Sequence, residues 1–103
     1  MPGLPLFKLG KIVATPGALD VMNSAGVDTA IQLLRRHLVG DWGDLSDEDK
    51  QANDAAVKNG DERILSSYNL RVYVTPTELG YQKIWILTEA DRSSTCIELP
   101  GEY

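Results

Sequence analysis

The chain has 103 residues, 43% of them hydrophobic and 24% charged, with a formal net charge of -5 and a pI near 4.7. That suits one domain with a real core, and it excludes intrinsic disorder and a two-domain chain. No apolar run approaches the roughly 18 residues of a membrane-spanning helix, and the acidic balance argues against a phosphate-gripping nucleic-acid binder.

Met1-Pro-Gly-Leu-Pro lacks the basic start and apolar stretch of a secretory signal. Leu6 to Thr15 reads as a first strand weakened by Gly10. Thr15-Pro16 then has the form of a helix start, with Thr15 as N-cap. Ala18, Leu19, Met22 and Ala25 follow at helical spacing, and Gly26 fits the stop. Asp28 is expected to cap a second helix through Val39, with Ile31, Leu34 and Leu38 inward, widened by Ala30 and Leu33. Arg35, Arg36 and His37 fall in its last turn, where positive charge is favourable. Asp41-Trp42-Gly43-Asp44-Leu45 is a loop. Ser46-Asp47-Glu48-Asp49 resembles a capping box opening a third helix to about Lys58. That helix offers only Ala52, Ala55, Ala56 and Val57, so it is expected to be peripheral.

The remainder reads as strands. Arg63 to Thr75 alternates, Pro76 to Gly80 turns, and Tyr81 to Glu89 is the most apolar run. Ala90-Asp91-Arg92-Ser93 turns again before Ser94 to Leu99. The expected fold is a single α+β domain: an N-terminal strand, three helices, then an antiparallel three-stranded meander with the helices on one face. Because Tyr81 to Glu89 is apolar on both parities, its second face is expected to be partly covered, by a second subunit in a homodimer. Charge is uneven. Asp41 to Glu62 carries -6, leaving +1 for the rest.

Five segments carry a resemblance: Ala14-Thr15-Pro16-Gly17-Ala18-Leu19, His37-Leu38-Val39-Gly40-Asp41-Trp42-Gly43, Ile64-Leu65-Ser66-Ser67-Tyr68, Trp85 through Thr95, and Pro100-Gly101-Glu102-Tyr103. Together they resemble a family of small plasmid- and mobile-element-associated bacterial proteins. The resemblance implies a cytoplasmic accessory protein, and it implies no activity. Arg71 to Pro76 is longer than the turn the pattern leads one to expect.

Polar candidates are His37, Asp41, Asp44, Glu89, Asp91, Arg92 and Thr95. Cys96, His37 and Asp41 could form a nucleophile, base and orienter, but no elbow or helix N-terminus activates the thiol. A cysteine in a strand is more often an inert small hydrophobe. His37 could serve as a general base or simply bond Asp41, Asp44 or nearby carbonyls. Trp42 could be a recognition tip or a plug between helices and sheet. Glu89 and Asp91 could act as acid and base or hold Mg²⁺, yet a metal needs further oxygen ligands. If the Gly-Asp-Trp-Gly loop and the Glu-Ala-Asp-Arg turn work together, Arg92 must lie close enough to pair with Asp41, Asp44 or Glu89. The favoured reading is a non-catalytic interaction protein whose partner is a host or element-encoded protein, a class that includes nucleic-acid enzymes and defence systems. It needs no cofactor, metal or membrane. The alternative is a small hydrolase or nuclease-like enzyme using His37, Asp41, Glu89 and Asp91.

Overall fold

The computed structural model describes residues 3–102, so Met1, Pro2 and the closing Tyr103 of the motif pattern lie outside the described residues. The elements run β1 (Lys11–Ala14), α1 (Pro16–Ala25), α2 (Thr29–Leu38), α3 (Asp47–Asn59), β2 (Ile64–Tyr73), β3 (Leu79–Thr88) and β4 (Ser94–Glu98). Side chains alternate along a strand, and here parity decides burial. Ile64, Ser66, Tyr68 and Val72 of β2 share one face with Ile84, Ile86 and Thr88 of β3. Thr95 and Ile97 of β4 continue it, opposite Thr88 and Ile86. Ala18, Met22 and Leu33 pack with Tyr68, Ile84, Ile86 and Ile97, while Trp42 and Ala56 pack with Ile64. The helices therefore occupy one face.

The sheet itself corrects the expected meander. Its order is β1-β4-β3-β2, antiparallel from β2 to β4 but parallel between β1 and β4. Tight turns dictate antiparallel neighbours for the last three strands. No local signal names the partner of β1, which joins the far edge after the chain has crossed the face through three helices. The first strand is also shorter than expected. Gly10, at φ 64°, bends the chain just before β1 and lies against the Arg92 and Ser93 carbonyls, where a Cβ would collide.

Helix ends follow local chemistry, with one exception. Thr15 accepts from the Ala18 amide and Ser46 from the Asp49 amide, as N-caps do. Asp28 makes no side-chain cap bond. The inward stripe of α2 is also rotated from the expected one: Thr29, Leu33 and His37 are buried, and Ile31 is 54% exposed. The cause is His37, whose ring is drawn into the core by hydroxyls of the sheet. On α3 the buried residues are Asn53 and Ala56, so a polar side chain replaces the alanine stripe as the docking point.

Candidate functional site

His37 is fully buried, with Nδ1 2.5 Å from Ser66 Oγ and Nε2 2.9 Å from Thr88 Oγ1. Thr88 Oγ1 lies 2.7 Å from Thr95 Oγ1, and Thr95 donates to the Leu9 carbonyl at 2.8 Å. Each hydroxyl has a single proton, so the far end fixes the rest. Thr95 spends its proton on Leu9 and must accept from Thr88; Thr88 must accept from Nε2–H. Nδ1 is then the acceptor of the Ser66 hydroxyl. The edges of Phe7 and Trp42 close over the ring, at centroid distances of 5.1 and 5.9 Å. Burial pushes the His37 pKa down to about 3, so the imidazole is neutral at pH 7. With both nitrogens committed and no solvent access, His37 is not placed to take a proton from a ligand. It does not bond Asp41 or Asp44.

The Gly40–Leu45 loop is fastened on every side. Trp42 is buried and donates Nε1–H to Asp54 Oδ1 at 3.0 Å, which makes it a plug rather than an exposed tip. Asp41 takes a two-point bond from Arg36, at 2.7 and 3.2 Å, and Arg36 lies 4.5 Å above the Tyr68 ring. Tyr68 closes the ring of contacts by donating to the Asp41 carbonyl at 2.7 Å. The Arg36 hydrogen bond holds the Asp41 carboxyl below its usual range and raises Arg36 in turn. Exposed Asp44 accepts from Lys83 at 3.1 Å and Asn69 at 3.2 Å, and those bonds lower its carboxyl as well.

Arg92 pairs with none of the expected carboxylates. Its guanidinium instead donates to four main-chain carbonyls: Glu62 at 2.6 Å, Ala56 at 3.0 Å, and Glu89 and Ala90 at 3.1 Å. It therefore ties the end of α3, the segment before β2 and its own turn together. It also stands 5.8 Å from the Phe7 ring, which stacks on Trp42 at 6.3 Å. The Trp42 loop and the Arg92 turn thus meet through Phe7, not by charge. Asp91 accepts from the Ser93 amide at 2.9 Å, a bond that lowers its carboxyl and stabilises the turn. No side-chain hydrogen bond or ion pair joins any two of His37, Asp41, Glu89 and Asp91. Among the described residues no three His, Cys, Asp or Glu side chains gather as metal donors.

The sheet's other face behaves differently. Register sets Ser67, Trp85 and Glu98 in one row across three strands, and Leu65, Leu87 and Cys96 in the next. A cavity of about 240 Å³ opens there, lined by Arg63, Leu65, Trp85, Leu87 and Glu98. Glu98 is 2% exposed, and among the described residues its Oε2 has no hydrogen-bond partner; nor has buried Ser67 Oγ. Burial pushes the Glu98 carboxyl up, with Glu102 and Glu89 adding repulsion and Arg63 opposing them. Burial and the same carboxylates raise the Cys96 thiol, so it is not an activated nucleophile. A larger groove of about 480 Å³ lies between Gly3 and Pro5 and the end of α2, lined by Arg35, Arg36, Leu38 and Val39.

Sequence reasoning missed Phe7, Asn53, Ser66 and Thr88 in the buried arrangements, and Arg63, Trp85 and Glu98 around the cavity. One signal was present: Glu98 is a lone acid between Ile97 and Leu99, on the parity of Cys96. Only the β3–β4 register reveals that it neighbours Trp85. Comparison with protein families, curated proteins and solved structures finds no match for this chain.

Proposed function

We propose that this chain is a non-catalytic interaction protein that holds another protein against the open face of its sheet. One observation carries the reading: Leu65, Trp85 and Cys96, each partly exposed around buried Leu87, lie on that face, while every packed helix lies on the opposite side. The β2–β3 hairpin extends it with Tyr73, Leu79 and Tyr81, each about half exposed or more. The Asn69–Lys83 row stands between the two apolar patches, and exposed apolar side chains gathered on one face in this way mark an interaction site. Glu98 lies within it, and the chain carries -5 overall, so the partner it suits is apolar and basic. A second copy across a two-fold axis would bring the same carboxylates together. The plasmid or integrated-element setting comes from the motif pattern, and a host or element-encoded protein fits it.

The test compares wild type with a Leu79→Asp/Tyr81→Asp double variant by affinity capture and then by direct titration of the captured protein. Both positions are exposed, so melting temperature should be unchanged. The proposal expects a basic protein held by wild type and lost by the variant. Equal capture by both would overturn it.

A further inference from the structure

On that face the cavity of about 240 Å³ has a specific chemistry. Small-molecule sites for drug-sized ligands begin at roughly 300 Å³, so this one has room for a single side chain rather than a strand or helix. Leu65, Trp85 and Leu87 offer an apolar wall suited to methylene groups. Glu98 lines the same space and is 2% exposed, and its buried Oε2 is reached by no described donor. Arg63 also lines it but makes no ion pair; those among the described residues are Arg36–Asp41 and Lys83–Asp44. Glu98 is the acid among the lining residues; the Glu102 carboxylate is held by the Thr15 hydroxyl and the Leu99 amide. An anion would meet the Glu98 carboxylate, and a neutral group would leave it uncompensated.

We propose that this cavity is a socket for one Arg or Lys side chain of the partner. The cationic head pairs with the Glu98 carboxylate and lies against the Trp85 ring, where a cation is attracted. The methylene stem contacts Leu65 and Leu87. Exposed Arg63 is the competitor that must swing aside. The identity of the occupant rests on the open-face reading above, whereas the socket's preference for an alkyl cation does not.

Titration of the full chain with n-butylguanidinium, n-butylammonium and neutral n-butanol, followed by the Trp85 indole resonance, tests the chemistry. Both cations should bind at least tenfold more tightly than butanol. Glu98→Gln should weaken the cations tenfold or more, and Arg63→Gln should strengthen them. Butanol binding as well as the cations overturns the socket on wild type alone, whatever the variants do; so does a folded Glu98→Gln variant that retains full cation affinity. Acetyl-Gly-Arg-Gly-amide and agmatine then separate the sources. Peptide binding at least equal to that of butylguanidinium supports a partner side chain, and exclusion of the peptide while agmatine binds overturns that assignment. The Leu79→Asp/Tyr81→Asp variant should bind the probes normally. If it does so yet keeps its protein partner, the open-face reading fails and the socket's chemistry stands.

Discussion

Arg92 is the one non-glycine residue with a left-handed backbone, at φ 61° among the described residues. That conformation costs about 1–2 kcal/mol for an L-residue. Four carbonyls held by one cation offset it, since hydrogen bonds to a charged group each contribute about 1.5–3 kcal/mol and are not additive. Arg92→Ala should therefore destabilise by about 2–4 kcal/mol in urea unfolding. Arg92→Lys should recover little, because an ammonium cannot span the same fork of acceptors. His37 gives a pH test. Its folded pKa of about 3 lies below the unfolded value near 6.5, so the unfolded chain binds the extra proton between them. Stability is full above pH 6.5 and falls as pH drops toward 3. Between pH 7 and 4.5 the loss should be about 2–3 kcal/mol. A His37→Gln variant should show a flatter slope in that window. Glu98 works the other way, since its raised carboxyl takes up a proton earlier in the folded state and offsets part of the loss. Neither role was legible in sequence: an arginine in a turn and a histidine before a glycine look like local end chemistry, and their partners lie 29 to 51 residues away for His37.

Among elements, β2 is an exposed edge that is only half defended. Asn53 of α3 gives its amide to the Leu65 carbonyl at 2.7 Å and accepts the Leu65 amide at 3.2 Å. Two residues on, the Ser67 amide donates to the Trp42 carbonyl and the Ser67 carbonyl accepts from Asp44. Asn69, Arg71 and Tyr73 face the same way without such cover. Free edges invite pairing with another chain, so helix and loop act as a guard over the first half. Hydrogen exchange should find Leu65 and Ser67 amides protected and those of Asn69, Arg71 and Tyr73 fast. Asn53→Ala should release Leu65 and loosen α3, at about 1–3 kcal/mol, because α3 buries little else than Ala56. Unchanged Leu65 protection in that variant would refute the guard. The helices and the β2–β4 hairpins were legible from spacing, caps and turns. The rotation of α2 was not, because hydrophobic periodicity ranks a histidine below isoleucine and leucine. In fact Leu33 and His37 turn inward and Ile31 turns out.

At the scale of the whole molecule, the sheet has one face under helices and one without, and net charge opposes stacking two such faces. Sedimentation should give one 11.3 kDa species whose mass does not rise with concentration at low salt. A dimer broken by Leu79→Asp/Tyr81→Asp would reassign the open face to a second copy. The two-faced character of Tyr81 to Glu89 was visible as apolar residues on both parities, which is why a second face in need of a cover could be expected at all. The parallel β1–β4 pairing was not, since a chain of three helices can deliver the meander to either edge of a four-residue strand.

The hydroxyl chain through His37 also answers a problem that apolar alternation leaves open. Slipping one strand by a single residue reverses its faces and is punished by every side chain, but slipping by two restores the parity. β3 could slide two places against β4 and still turn isoleucines inward, with Ile86 rather than Thr88 opposite Thr95. Nε2–H would then meet a hydrocarbon, and Thr95 would lose its donor. Buried polar groups tolerate no such mismatch. One imidazole, reading three hydroxyls on three strands, thus works as the tumbler of a lock that only one alignment opens.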